Sequence, residues 1–593
     1  MRSTRRKLVV GSVIVVGVAA LGLWFSISRA TRLINGLLRD FASAETARLT
    51  DSTYILNVGA LSFDWPQRKV TLDSVLLTTD TARNARRAEP LAATRAVLRN
   101  CTLSGIQITT LVLGRGLVAG GFGCSDVLFA TDKPAGLEPA ADSAHPAARP
   151  ATPAASPATP AAHPTAAPQA GPAAAPGAFL ALQQGLALPS QVPALRLSRI
   201  SFPNVAITLV QRYERGDRLE FVLERAQLRI TGLAIDPADS AAALRTLFSE
   251  SVVLSAENAA FRPDTSTSVS LGRLDVNLND SSVAIRDFAF GPLITDEAFA
   301  RQSPWRRERI RASARLLAFK GLDINLFARS GALRVRTLEL DSLLFEIRGD
   351  KRKPPRPGPK PPKRSVQGFM AARPRSLQID TIRITNSQVA YEEFAKNRDT
   401  PGRLVFARLN AVGTSFLHQR GVTTRAHPFL LEATTFLMGR GRLRVAFEVP
   451  LDAPDFTMRT VGSLGPTPAS ALNPFISLIL PAAVKGGQLN SVTFVFRVEN
   501  GRARGTLTPL YTGLAVDVTG RGMTGVLGNR GIIGGIARGA AELAAGFKVR
   551  GNNPDKPDRP PKVGTIDHTF HGESLPTFFW NAIKKGLLPV VVK

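Results

Sequence analysis

Between a few abrupt breaks, Val, Ile, Leu and Phe alternate with polar residues along most of the chain, and long helical spacings are few. Period-two alternation puts every second side chain on one face of a strand, so the pattern predicts a mainly β protein whose sheet has one apolar face. The N-terminus departs from it. Leu8 to Ile27 (LVVGSVIVVGVAALGLWFSI) contains no charge, and a helix of that length, rising about 1.5 Å per residue, crosses a hydrocarbon core of about 30 Å. Leu33, Ile34, Leu37, Leu38 and Phe41 then recur at helical spacing, which extends the anchor helix out of the bilayer.

The strand-like region repeats itself. Gly59, Leu61, Phe63, Val70, Leu72, Val75 and Leu77 match Gly272, Leu274, Val276, Val283, Ile285, Phe288 and Phe290 without a gap. Further on, Gly105, Ile108, Leu111, Leu117, Leu128 and Phe129 match Gly321, Ile324, Phe327, Leu333, Leu344 and Phe345 at one constant offset. Leu195, Leu197, Ile200, Phe202, Asn204 and Ile207 match Leu377, Ile379, Ile382, Ile384, Asn386 and Val389 in the same way. Two tandem copies of one long module are expected.

A shorter rhythm runs inside each copy: two apolar residues one apart, then a skip of two. It gives Leu195/Leu197, Ile200/Phe202, Val205/Ile207/Leu209 and again Leu333/Val335, Leu338/Leu340, Leu343/Phe345/Ile347. The skip reverses side-chain phase, so either tight corners (a β-solenoid) or bulges (a curved sheet) must restore the facing. With three beats per copy the curved sheet is preferred. The fold class is therefore mainly β, an elongated, curved and twisted antiparallel sheet of tandem modules with an N-terminal transmembrane helix and a few amphipathic helices.

The breaks set the layout. Residues 1–50 hold the cytoplasmic stub, the anchor (8–27) and its extension; 51–130 form the first half of module one. An Ala/Pro-rich linker with eleven prolines occupies 131–178, a composition that cannot bury a core. Module one resumes in 179–350 and runs into copy two. KRKPPRPGPKPPKR, in the linker 351–368, is either a basic arm for headgroups or a soluble polyproline loop. Residues 369–550 complete copy two and a C-terminal region, and 551–593 hold a polar loop and an amphipathic helix.

Charge changes the picture of partners. Lys+Arg exceed Asp+Glu by 75 to 46, a formal net charge of +29, and the excess is nearly all arginine. An anionic partner follows, nucleic acid or lipid headgroups being the obvious ones. Arg2, Arg5, Arg6 and Lys7 precede the apolar stretch, which keeps the N-terminus cytoplasmic and exports the bulk, in favour of lipid or lipopolysaccharide and against nucleic acid. The competing readings are a cleaved signal peptide, since Ser26 and Ser28 flank Ile27, and an arginine-rich composition with a solvated surface.

Candidate chemistry is sparse. His568 and His571 stand near Asp567 and Glu573, a spacing open to a metal but more simply a solvated loop. Gly520, Gly522 and Gly525 fit GxGxxG without the βαβ surroundings that dinucleotide binding needs. Glu392 and Glu393 beside Tyr391 read as a surface strand edge rather than a general acid/base pair. No catalytic residue, metal site or cofactor is expected, and the protein reads as not an enzyme; a β-solenoid carbohydrate-active enzyme is the weakest alternative. Cys101 and Cys124 fall, at the offset of Gly105 and Gly321, on Leu317 and Leu340, which makes them small buried hydrophobes first and a disulfide second. In 574–588, Leu575, Phe578, Phe579, Ala582, Ile583 and Leu587 share a face. That helix either docks in a membrane interface, with Phe578, Phe579, Trp580, Lys584 and Lys585 at headgroup level, or plugs the sheet's own core.

The anchor followed by TYILNVGALSFDWPQRKVTLDSVLLTT (53–79), the strand-turn-strand stretch SLQIDTIRITNSQVAYEE (376–393) and the C-terminal LNPF (472–475), KGGQLNSVTFVF (485–496), GTLTPLYTGLAV (505–516) and FFWNAIKKGL (578–587) resemble the AsmA-like family of bacterial envelope proteins. The resemblance covers nearly the whole chain in weak patterns, and the long proline linkers depart from it. It implies a β-taco, a curved sheet with a concave apolar groove, similar to chorein-type bridge-like lipid transfer proteins, in a single-pass inner-membrane protein with its bulk in the periplasm. Acyl chains of phospholipid or another anionic envelope lipid would lie on Leu195, Leu197, Ile200, Phe202, Leu333, Val335, Leu338, Leu340, Ile379, Ile382 and Ile384. Headgroups would stay in water beside Arg306, Arg307, Arg309 and Arg311. Such a protein supports lipid transport and outer-membrane homeostasis, with the outer membrane or envelope proteins as further partners. The alternative is a non-transporting structural or regulatory envelope-assembly protein with a closed, dry core.

Overall fold

The computed structural model describes residues 43, 46, 52–87, 91–133, 193–212, 218–235, 249–264, 266–355, 365–371, 376–396, 399–419, 426–479, 482–518, 549–571 and 575–592. The expected anchor (8–27), most of its extension, the Ala/Pro-rich linker beyond Lys133 and the 520–525 glycine motif lie outside them. Among the described residues no helix is long and apolar enough to cross a membrane. With 23 strands and few helices, the described chain is mainly β. It divides into two compact units, the first Met1–Glu250 with Pro263–Thr265 and Ala328–Ser330, the second Ser251–Arg262, Ser266–Phe327 and Gly331–Lys593.

The first unit holds β1 (Tyr54–Val58), β2 (Leu61–Asp64), β3 (Lys69–Thr79), β4 (Ala93–Ser104), β5 (Leu117–Ala119), β6 (Gly121–Lys133), β7 (Leu195–Arg212) and β8 (Arg218–Ile235), with the short helices α1 (Thr81–Ala85) and α2 (Ile108–Val112). β1 and β2 both pair with β3, which continues through β4 to β6, all antiparallel. β7 then runs parallel to β5 and β6 and antiparallel to β8.

The second unit holds β9 (Ser251–Arg262), β10 (Thr267–Asn277), β11 (Ser282–Pro292), β12 (Arg309–Leu322), β13 (Leu333–Asp341), β14 (Leu344–Asp350), β15 (Leu377–Phe394) and β16 (Gly402–His418). It continues through β17 (Phe429–Leu437), β18 (Gly441–Val449), β19 (Met458–Leu464), β20 (Thr467–Pro468), β21 (Ala482–Glu499), β22 (Arg502–Val518) and β23 (Gly564–Thr569). Helices α3 (Asp296–Arg301), α4 (Ile324–Ser330), α5 (Val366–Ala371), α6 (Asn473–Ile479) and α7 (Leu575–Val591) lie between or after these strands. Again β13 and β14 run parallel to β15, and every other pairing is antiparallel.

The repeat seen in the sequence is a repeat of structure. β3, β4, α2, β5/β6 and β7 recur as β11, β12, α4, β13/β14 and β15, down to the parallel step. The expected all-antiparallel sheet is thus corrected to a mixed one, because each copy's linker returns the chain to the starting end before the next strand. The skip rhythm is resolved by bulges rather than by corners. In β7 the register with β8 shifts between Phe202 and Val205 and between Val205 and Ile207. In β15 it shifts against β16 at the matching residues, Ile384/Ser387 and Ser387/Val389. SLQIDTIRITNSQVAYEE is therefore one bulged strand, not strand-turn-strand, with Asn386 at φ +50°. The earlier skip, Leu197 to Ile200, keeps register; the turnover falls opposite Gly232 (φ +62°), a left-handed backbone that glycine adopts without Cβ strain.

In the first unit Val70, Ile106, Leu111, Leu117, Leu197 and Ile200 form a buried cluster capped by α2, with Trp65 and Phe122 packed against it. Cys101 and Cys124 face each other across β4 and β6, both buried, and are joined as a disulfide. Their duplicates Leu317 and Leu340 are also direct register partners, across β12 and β13. A position that packs two leucines in one copy is a covalent staple in the other, so the disulfide replaces the expected pair of free buried thiols.

Candidate functional site

The register of the second unit lines apolar residues into rows that cross the sheet. One row starts at Ala256 on β9 and passes Leu274, Ile285, Leu317, Leu340 and Ile384. It continues through Ala411, Ala433, Val445, Gly462, Phe494 and Leu507 on β22. The neighbouring row carries Val276, Val283, Phe319, Leu338 and Ile382, then Gly413, Leu431, Phe447, Thr460 and Phe496. Side chains two apart on a strand share a face, so the two rows form one apolar surface. Its middle members, including Leu274, Ile285, Leu317, Leu338, Leu340, Ile382 and Ile384, are only half-buried. The opposite face is polar, with Lys320 2.7 Å from Glu339 and Arg315 bonded to Asp341, whose carboxyl that guanidinium holds down to about 2.

The predicted groove residues divide accordingly. Leu338 pairs with Ile382, Leu340 with Ile384, Leu333 with Leu377 and Val335 with Ile379 across the parallel step from β13 to β15. Val335 and Ile379 are buried. In the first unit Leu197 and Ile200 belong to the closed cluster under α2, with Leu195 and Phe202 packed against it. Leu197 and Ile200 are core there, under a cover that the alternation alone could not reveal, whereas Leu195 and Phe202 are half-buried at its edge.

Of the two readings of the C-terminal helix, the packing of α7 follows the plug of the sheet's core. Phe578 is fully buried and stacks edge-on with Phe456 and Phe570, while Ala582 is buried in the same cluster as Phe496, Leu507 and Ile566. Phe579 packs on Phe447 and Phe496, and Trp580 on Phe475 of α6. Lys584 is partly buried, and desolvation, reinforced by Lys585 and Lys351, lowers its pKa to about 8. Of the proposed interface residues, Lys585 is exposed. The helix plugs one end of the sheet's core.

Polar candidates settle into ion pairs. Glu392 and Glu393, expected on a surface edge, are buried: Arg348 lies 2.6 Å from Glu392, and Tyr391 donates to Glu393 at 2.6 Å, with Lys351 also bonded to it. Lys351, Arg352 and Lys353, read as the start of a basic arm or loop, are held by Glu393, Asp350 and the carbonyls of Ala300 and Ser303. Of the headgroup arginines, Arg309 is only 4% exposed and Arg311 lies 2.9 Å from Asp296. Asp567, one of the carboxylates beside the histidines, is occupied by Arg502, which donates to it at 2.7 Å.

Alternation alone missed a concavity on the polar face. A trough of about 790 Å³ crosses β15 to β22 along the row from Ile384 to Phe494, lined mainly by the residues that alternate with that row. Exposed Val412, Val461 and Val495 floor it, Thr385, Thr434, Thr493 and Thr506 surround them, and Arg383, Glu432 and Arg444 border it. The signal was present as valines in the polar phase of neighbouring strands. Its floor is short and bounded by charge, unlike the rows on the other face. No family model matches the chain, and no curated protein matches it.

Proposed function

We propose that this is an AsmA-like, inner-membrane-anchored envelope protein, not an enzyme, that holds lipid acyl chains on its apolar sheet face and supports lipid transport between membranes. The observation that carries the reading is the half-buried apolar surface running across consecutive strands from β9 to β22. Apolar surface of that extent, its middle rows only half-buried among the described residues, gains free energy by covering itself with hydrocarbon, at about 25 cal/mol per Å² removed from water. Acyl chains would cross the strands along Leu340/Ile384 and Leu338/Ile382, with headgroups reaching water at the margin of the sheet. The arginine-rich outer face supplies solubility and attraction to anionic membrane surfaces. The anchor at 8–27 would place the N-terminus in the cytoplasm and the sheet in the periplasm.

The test is mass spectrometry of lipid co-purified with the detergent-extracted full chain, combined with photocrosslinkers at Leu338 and Ile382. Phospholipid recovered in stoichiometric amounts and crosslinked at both positions is the expected result. Lipid-free protein with no crosslink at either would overturn the reading in favour of a non-transporting envelope-assembly protein.

A further inference from the structure

At the ends of β12, β14 and β15, on the face away from the apolar rows, α3 and the segment after it close over a cavity of about 290 Å³. That is the small end of ligand-binding cavities, about 300 Å³ and upward. Five cations line it, Arg307, Arg309, Arg348, Arg352 and Lys353, against three carboxylates, Asp296, Glu297 and Asp350. Asp350 is taken by Arg352 at 2.9 Å. Asp296 is shared by Arg309 at 3.0 Å, Arg311 at 2.9 Å and Arg348 at 2.5 Å. Arg348 is also met by Glu392 at 2.6 Å, so the five lining cations and Arg311 stand against Asp296, Glu297, Asp350 and Glu392, an excess of two positive charges.

Arg309 is the telling residue. Its side chain is 5% exposed, and its Nε and Nη1 donate no hydrogen bond among the described residues, the approach of Nη1 to Asp296 being a charge contact only. A buried donor left without an acceptor is costly, and more so when it is charged. Burial pushes the Arg309 pKa down, in keeping with a cation short of acceptors. Phe299 and Phe394 form apolar walls, with Arg307 and Arg352 lying over their rings.

We propose that this cavity binds a phosphate dianion, as free phosphate or as a phosphomonoester group. Its two negative charges match that excess, and its tetrahedral oxygens accept from guanidinium forks that converge from several directions, where the two oxygens of a carboxylate lie in one plane. The site lies on the polar face and does not depend on lipid binding along the apolar rows.

The experiment follows thermal unfolding of the detergent-solubilised full chain with added inorganic phosphate, and with acetate or chloride at matched ionic strength. Phosphate raises the midpoint saturably and the monoanions do not. R307Q and K353Q, at the rim, each weaken the phosphate response at least tenfold in half-saturating concentration, and R309M abolishes it without lowering the midpoint of the phosphate-free protein. A second arm replaces phosphate by mixed micelles containing phosphatidic acid: a matching, variant-sensitive shift assigns the site to a lipid phosphomonoester, and its absence beside a phosphate shift assigns it to free phosphate. No phosphate shift, or one that survives all three substitutions, overturns the proposal, as does an R309M protein that is destabilised yet still responds.

Discussion

Lys584 shows how a single side chain on a plug helix sets a pH dependence. Its folded pKa of about 8 lies below the unfolded value of about 10.4. The charged form is therefore penalised in the native state, and the penalty is present in full below pH 8. As pH rises from about 8 to about 10.4 the native state releases its proton first, and stability increases. Lys584→Met, which keeps the stem and drops the charge, should stabilise the protein by about 2 kcal/mol at pH 7 and flatten that rise. Denaturant titrations of both proteins at pH 7 and pH 9.5 measure it; equal stability of the two at pH 7 would show that the ammonium is solvated after all. Tyr511 acts with opposite sign at higher pH, since burial lifts its phenol to about 12 and ionisation of the unfolded chain above pH 10 favours unfolding. Its hydroxyl donates to the Val590 carbonyl at 3.4 Å, tying the end of α7 to β22.

The seating of α7 on the sheet depends on two glycines. A Cβ built at Gly564 would strike the Gly586 backbone carbonyl, and one at Gly586 would lie 3.0 Å from the Ile566 side chain. Helix and strand touch backbone to backbone there, which brings Phe578 and Ala582 into the cluster with Leu507 and Ile566. Gly564→Ala should lift the helix and cost about 1–3 kcal/mol, read as a lower unfolding midpoint and faster amide exchange in 575–591. An unchanged midpoint would mean that the helix contributes little to the core. This contact had no signature in the chain, because glycine spacing does not report which backbone approaches which. The bulges did have one: the two-residue skips in β7 and β15 are a phase reversal written in hydrophobicity, and register shifts appear at Phe202/Val205 and Ile384/Ser387. Leu338, Leu340, Ile382 and Ile384 were readable as one face for the same reason. The buried state of Arg309 was not, since it depends on Asp296 and Arg348, residues brought together only when α3 folds over the strand ends.

The parallel step in each copy governs how the whole chain is threaded. β6 ends at Lys133, which pairs with Gln211, while β7 begins at Leu195, alongside Leu117. The chain must therefore travel back along β7, roughly 50 Å at about 3.3 Å per residue, before pairing resumes. Residues 134–192 supply far more length than that return requires, and no described contact within the first unit needs them. A chain cut there, at a protease site introduced near residue 160, should remain one particle. Both fragments should co-elute in native size-exclusion chromatography and separate only in denaturant, held by the β6/β7 hydrogen bonds and the cluster around Leu197 and Ile200. Separation under native conditions would show that the parallel ladder is too weak to hold without its tether. Covalent continuity and mechanical continuity are then different things in this protein: the peptide bond is dispensable at a point where the ladder carries the load, so a gene split there could encode two polypeptides that rebuild the same unit.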